Sequence, residues 1–344
     1  MAGDKITYQS SGVDINAGYE VVRRIKKIIG PKQADGVIGG IGSFGGLFAV
    51  PEGYRQPVLV AGCDGVGTKL VIAEQSGQLD TIGIDLVAMS VNDIAAMGAK
   101  PLFFLDYLAV GKLDPNRAES LISGVVAGCQ EAGCVLLGGE TAEMPGVYSP
   151  EGFDLAGFAV GIVEKDQIIS GTDIMAGDIL IGLSSSGLHS NGFSLARKIC
   201  FEENQWTLNQ RLPGFDQPLA DVLLTPTRIY VNIVLQLLGQ VKIKGIAHIT
   251  GGGLPENVGR ILPSDLQARI DTSLWPKPAI FTLLQGAGGI EVTEMYHAFN
   301  MGIGLVLVIA PDQAEQTLAL LAKLGEKAYQ IGQITQGQGG VVLE

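Results

Sequence analysis

The stretch Ile82–Ala99, IGIDLVAMSVNDIAAMGA, constrains this chain more than any other. Its length, and its end at Gly98 with Pro101 soon after, predict a helix. The helix is apolar on nearly every face, so it has to be packed on both sides rather than laid on a surface. It nevertheless carries Asp85, Asn92 and Asp93. Asp85 and Asp93, eight residues apart, are read as lying on roughly one face with Met89 between them. Burying a lone carboxylate costs several kcal/mol or shifts its pKa until it is neutral. Such a helix keeps two acids only if something cationic faces them. Asp85, in the first turn, can instead serve as a cap or a dipole partner. Asp93, near the middle, reads as a metal or catalytic ligand.

A second stretch, Ala61–Leu70, combines a carboxylate with a glycine turn. The apolar run Pro57–Val60 before it reads as a strand. Gly65 and Gly67 permit backbone angles that turn successive N–H groups toward one anion. Asp64 beside such a loop would repel a bare phosphate, which makes sense if a divalent cation lies between them. Thr68 and Lys69 can then steady the phosphates. The G-x-x-x-x-G-K-[ST] spacing of a Walker A loop is absent. Gly36–Gly46, containing Gly42 and Gly45, is a further glycine loop. It follows a predicted helix, Tyr19–Ile29, that bears Arg23, Arg24, Lys26 and Lys27. In a chain of net charge −12, these cations are candidates for touching an anion. The same charge denies a nucleic-acid partner its electrostatic footprint.

Along the chain, strands alternate with helices in an α/β (α+β) pattern. Residues 1–20 are polar and read as a mobile arm. Leu47–Val50, Pro101–Val110, Cys134–Leu137 and Leu155–Val163 read as strands, and Pro115–Gly133 as a helix. Gly138–Gly146, GGETAEMPG, is expected as a loop at a strand end, where Glu140, Thr141 and Glu143 gather near glycines. Composition turns polar near Glu164–Ile169, which divides the chain into residues 1–168 and 169–344. The second unit opens with the strand Ile179–Leu183 and the loop SSSGLHSNG. In that loop Ser186, His189 and Asn191 are candidates for holding a substrate. His248, Thr250, Gly251 and Gly252 form another polar loop. Tyr329–Ile334 and Val341–Leu343 read as a closing strand pair. Cys63, Cys129, Cys134 and Cys200 show no disulfide framework. With no signal-peptide core near Met1 and no apolar run long enough to span a bilayer, a cytoplasmic protein with no membrane partner is expected.

GVDINAG (Gly12–Gly18), GGIGSFGG (Gly39–Gly46), DGVGTKL, VNDIAAMGA, PLFFLDYLA, GGETAEMPG, SSSGLHSNG, LTPTRIY (Leu224–Tyr230) and AHITGGG (Ala247–Gly253) recur in one order. Together they closely resemble the phosphoribosylformylglycinamidine cyclo-ligase family, also called aminoimidazole ribonucleotide synthetases. The resemblance implies a homodimer of two-domain chains whose N-terminal strands form a barrel across the interface. It implies ATP and Mg²⁺, with K⁺ as an optional addition, and formylglycinamidine ribonucleotide as substrate. It places Asp64 and Asp93 as metal ligands, Lys26 near the nucleotide, and His189 and His248 in active-site loops, with His189 as a catalytic residue that shuttles a proton or orients substrate. Selenophosphate synthetase, a hydrogenase-maturation dehydratase and thiamin-phosphate kinase share the superfamily. No Cys precedes Cys63, the chain closes VVLE, and FFLDY and LHSNG are present, so these relatives fit less well. A non-catalytic nucleotide-binding regulator would have no use for both histidine loops.

Overall fold

The computed structural model describes residues 7–30, 35–42 and 44–344. Helix α1 (Ile15–Ile29) starts earlier than the helix expected from Tyr19. Asp14 is the reason: its carboxylate accepts from the N–H groups of Asn16 and Ala17 at 2.9 and 3.2 Å and caps the first turn. Of the expected mobile arm, residues 1–6 lie outside the described residues and Ile15–Glu20 are helix. Strands β1 (Val37–Ile38) and β2 (Leu47–Phe48) pair with each other across the glycine loop.

The first main sheet is built from β3 (Pro57–Gly65), β4 (Lys100–Val110), β5 (Val135–Glu143) and β6 (Phe153–Glu164), in the order β3-β6-β4-β5. Only β4 and β5 run parallel. Helices α2 (Lys69–Ser76), α3 (Ile82–Ala96) and α4 (Pro115–Ala132) follow in chain order between these strands. α3 and α4 come so close that a Cβ on Gly83 would run into the backbone of α4, and one on Gly124 into the Asp80 carbonyl just before α3. β5 extends through GGETAE, so Glu140, Thr141 and Glu143 stand on a strand and not in the expected loop.

The second sheet takes β7 (Ile179–Ser184), β8 (Ile243–His248), β9 (Leu266–Ile270), β10 (Ile303–Ile309), β11 (Ala328–Gln336) and β12 (Val341–Leu343), in the order β12-β9-β11-β7-β10-β8. Around it stand α5 (Phe193–Arg197), α6 (Leu219–Leu223), α7 (Val231–Leu238), α8 (Gly253–Arg260), α9 (Ala279–Gly288), α10 (Val292–Ala298) and α11 (Ala314–Lys323). β11 and β12 are not the expected hairpin, because β9 lies between them and pairs with both. The glycine turn spans that extra strand: Gly337 donates to Asp265 and Gly340 accepts from Ala268. Among the described residues no helix is long and apolar enough to cross a membrane.

Helix α3 belongs to both halves. It packs on β3 and β6 of the first sheet and on α7 and β8 of the second unit, which accounts for its apolar character all round. The sheet beneath it carries a buried acid at the middle of a central strand. Asp106 on β4 leans over Gly139, its neighbour on β5. Burial, together with the charge of Glu140, pushes its carboxyl up to about 7. Because the folded value lies above the unfolded one, this group favours folding fully at acid pH and loses that contribution as pH rises toward 7. Between pH 5 and pH 8 it should remove about 2–3 kcal/mol of unfolding free energy. Asp106→Asn is expected to flatten the pH dependence of urea unfolding by that amount. Equal slopes in variant and parent would refute the assignment.

Candidate active site

The seam between the two units is polar, and it starts at the first residue of α2. Lys69 is fully buried, and its ammonium donates to Asp85 Oδ1 at 2.9 Å, to the His189 carbonyl at 3.1 Å and to the Thr225 carbonyl at 2.8 Å. All three of its N–H groups are thereby used. Lys69 is therefore not the phosphate ligand expected from the sequence, since no open face remains to it. Asp85, equally buried, is neither a cap nor a dipole partner alone. Its Oδ1 accepts from Thr227 N at 2.7 Å, Thr227 Oγ1 at 2.6 Å and Ser190 Oγ at 3.1 Å. Two turns on, Asn92 grips the same segment: its Nδ2 donates to the Arg228 carbonyl and its Oδ1 accepts from Tyr230 N, both at 2.8 Å. Arg228 in turn donates to Ser184 O and pairs with Glu326.

Asp93 follows Asn92 but faces the cleft, with its side chain 55% exposed. His248, at the end of β8, shares a hydrogen bond of 2.8 Å between Nδ1 and Asp93 Oδ1. Asp64, at the end of β3, completes the group. Burial raises its carboxyl above the ordinary range and Asp93's charge adds to this; Gly65 N–H, at 2.8 Å from Oδ1, and His248 work the other way. The Gly65 N–H thus turns to Asp64 rather than to a ligand. Gly67, at φ 74, and Thr68 remain exposed, with Thr68 Oγ1 3.1 Å from Ser194 Oγ.

The loop after β7 is held from inside by His189. That residue is 1% exposed and adopts φ 62, a left-handed backbone that side chains other than glycine rarely take. Its Nε2 accepts from Ser186 N at 3.2 Å, and Nδ1 is buried without a partner. Burial, with His248, Lys69 and Arg228 adding positive charge nearby, drives its pKa well below the usual histidine range. It is a neutral brace of the loop and not an exposed acid or base, which revises the catalytic role expected of it. Ser186 is exposed beside it, and Asn191 Nδ2 is a second unpartnered buried donor. Across from Asn191, the Thr250–Gly252 loop takes its shape from Asn257, whose Nδ2 donates to the carbonyls of Thr250, Gly251 and Gly253.

Lys26 and the glycine loop stand elsewhere, over the far edge of the first sheet. A cavity of about 570 Å³ opens between Lys26, Ile29, Gly39, Val126, Cys129 and Leu137. Lys26 Nζ lies against Gly42, where a Cβ would approach it to 3.1 Å, while Gly45 faces open space. Ile41 and Leu136 also wall a second cavity of about 370 Å³ that holds Asp106, Glu140 and Thr141. The two form one trough beneath α1. Glu143, weighed with Glu140 for a metal, instead accepts from the N–H groups of Asp14 and Leu113 and ties down the chain before α1. In the sheet register Asp64 stands opposite Gly157, Gly157 opposite Asp106, and Asp106 opposite Gly139. Asp64 and the trough therefore share one level, about 10 Å apart across two strand spacings.

Sequence reasoning missed the roles of Thr227 and Asn92, while Asn257 was read only as one more polar residue of the His248–Gly253 junction. Asn92 left a signal, a buried amide inside an apolar helix. Thr227 left none, because short polar residues in loops are ordinary; Asn257 proves to be buried on α8.

Comparison with known proteins gives this geometry a family. Residues 49–163 match the family described as AIR synthase related protein, N-terminal domain, and residues 175–344 its C-terminal domain. A phosphoribosylformylglycinamidine cyclo-ligase of Bifidobacterium animalis is 54% identical over 96% of this chain and 96% of its own. One of Myxococcus xanthus is 54% identical over 97% of both chains. Among solved structures, thiamine-monophosphate kinase of Stenotrophomonas maltophilia superposes with a TM-score of 0.68 at 22% identity, covering 94% of this chain and 96% of that one. The hydrogenase maturation protein HypE in complex with ATP superposes with a TM-score of 0.66 at 19% identity, covering 97% and 92%. These two share the fold. The full-length matches settle kinship more narrowly: the chain belongs to the phosphoribosylformylglycinamidine cyclo-ligase family.

Proposed function

We propose that this chain closes the imidazole ring of formylglycinamidine ribonucleotide, a step of purine biosynthesis that consumes ATP and yields 5-aminoimidazole ribonucleotide, ADP and phosphate. The observation that carries this reading is the 54% identity to cyclo-ligases over 96% of the chain. The fold neighbours alone would leave a kinase or a maturation enzyme equally open. The one solved with ATP supports a nucleotide on this fold.

The chemistry suits the residues. The formyl oxygen attacks the γ-phosphorus and ADP leaves, giving an iminophosphate. The amidine nitrogen then attacks the former formyl carbon, phosphate departs with that oxygen, and the new ring nitrogen loses its proton. Such a sequence asks for positioning and charge neutralisation more than for covalent help. Asp64 and Asp93 are two hard oxygen donors, and Asp93's charge adds to what raises the proton affinity of Asp64. No third His, Cys, Asp or Glu joins them as a metal cluster among the described residues. That set fits Mg²⁺, which keeps waters and phosphate oxygens as its other ligands. Held by Asp64 and Asp93, Mg²⁺ would neutralise the charge of the transferring phosphate. His248 fixes the orientation of Asp93. Lys26, Gly42 and Gly45, with the apolar trough, hold the nucleotide, whose phosphates run past Glu140 and Thr141 toward Gly67 and Thr68. Ser186, Asn191, Thr250, Gly251 and Gly252 hold the ribonucleotide; Asn191 Nδ2 and His189 Nδ1 are buried donors with no partner among the described residues.

The chain also forms a homodimer on this reading. The face of the first sheet away from α3 presents Leu59, Ala61, Cys63, Phe158 and Val160 on neighbouring strands, and Leu59 is 60% and Phe158 46% exposed. A sheet with apolar residues on both faces needs cover on both. A second copy of the same sheet supplies it and closes the inter-subunit barrel of the family.

Three measurements test these statements. ADP release should occur with formylglycinamidine ribonucleotide and not with selenide or thiamin phosphate; the reverse preference would sink the substrate assignment. Asp93→Ala should lower turnover at least ~10³-fold with an unchanged circular dichroism spectrum, and full activity in that variant would remove the metal role. Sedimentation should give a dimer for the parent chain and a monomer for Leu59→Lys/Phe158→Lys. A monomeric parent would exclude the barrel.

A further inference from the structure

We propose that Lys69 and Asp85 are positioning residues for the ring closure: they fix where the Ser186–Asn191 loop stands relative to Asp93. Neither touches substrate. Lys69 acts through the carbonyl of His189 and Asp85 through Ser190 and Thr227, and both of those segments come from the second unit. The inference rests on the reading that the ribonucleotide sits on the Ser186–Asn191 loop.

Three observations favour this over plain stabilisation. A fully buried ion pair is seldom needed for stability, because well-packed apolar residues of similar volume serve as well or better. An apolar pair could not do what this one does in the structure. It donates to two carbonyls and accepts from a backbone N–H and two hydroxyls, all in fixed directions. Second, the residue Lys69 holds is the one with the left-handed backbone, His189 at φ 62. Its only side-chain hydrogen bond runs to Ser186 within the same loop, so the loop's anchor to the first unit is Lys69 on one side and Asp85 on the other. Third, Asp85, Asn92 and Asp93 share the rigid helix α3. The first two grip the second unit while the third faces the cleft. Loop and carboxylate are therefore held to one ruler.

A loop displaced by about 1 Å can cost on the order of 10²-fold in rate even when every contacting residue is retained. The full-length Lys69→Met/Asp85→Asn variant removes both charges, keeps the volume, and leaves Thr227 and Ser190 an oxygen acceptor. It should unfold at a urea midpoint close to that of the parent chain. Its kcat should fall about 10²-fold and its KM for formylglycinamidine ribonucleotide should rise, while KM for ATP stays within twofold. A purely structural pair would move the urea midpoint and leave both KM values alone. A folded double variant with kcat and both KM values within twofold of the parent overturns the proposal. Should the double variant fail to fold, Thr227→Val removes one donor to Asp85. An unchanged kcat/KM for the ribonucleotide there overturns it equally. Asn191→Ala separates the two layers of the argument. If it leaves KM for the ribonucleotide unchanged, the substrate loop is misplaced and the positioning role falls with it. If it raises that KM and the double variant does not, only the positioning role fails.

Discussion

The rest of the structure depends on a buried ion pair between an ammonium and a carboxylate that belong to consecutive helices of one unit. Taking such groups out of water costs several kcal/mol each, and their mutual attraction recovers it only when the remaining lone pairs and protons are satisfied. For Lys69, burial pulls the pKa down and Asp85 pulls it back. The remaining partners all come from the second unit: the carbonyls of His189 and Thr225, the N–H and hydroxyl of Thr227, and the hydroxyl of Ser190. Neither charge is tolerable unless the two units meet in this one arrangement. Sliding one past the other would leave the pair together but strip its remaining N–H groups and lone pairs of their partners in a dry seam. The cleft above the seam inherits that fixed geometry, which suits chemistry that relies on alignment.

Helical geometry explains why the pair and the cleft carboxylate sit so near each other yet face different surroundings. Seven residues make nearly two full turns, so Asp85 and Asn92 fall within about 20° of one direction. Both look into the second unit and hold its backbone. Asp93, one residue further, is rotated by about 100° and opens to the cleft, where His248 meets it. Reading Asp85 and Asp93 as one face therefore grouped the wrong two residues. The demand for a cation opposite a buried acid was sound, and Lys69 answers it for Asp85.

Much of the fold was legible for the same reason that the seam was not. Long apolar segments such as α3, β10 and α11, ended by glycine or proline, declare themselves because their periodicity and punctuation are local. The DGVGTKL and SSSGLHSNG segments stood out as polar glycine turns from residue type alone. What local pattern cannot carry is the destination of a side chain. Lys69 beside two glycines looks the same whether it faces a phosphate or a buried carboxylate sixteen residues on. GGETAE reads as a loop because glycine and glutamate weaken strands, yet its parallel pairing with β4 overrides that preference. β11 and β12 look like a hairpin around QGQGG, and only β9, from a distant part of the chain, shows otherwise.

The two cleft acids obey a different balance from the seam. Asp64 has one oxygen fixed by the Gly65 N–H and Asp93 has one fixed by His248. Each carboxylate is thus oriented by the protein, and burial with Asp93's charge works against the ionisation of Asp64. Among the described residues no cation neutralises the two together as Lys69 neutralises Asp85. On the proposed reading this difference divides the labour. The seam acid is compensated from within and so can hold two units together permanently. The cleft acids are oriented but left under-compensated, so a divalent cation and the phosphates it carries find a site already aligned, and binding relieves the repulsion between Asp64 and Asp93.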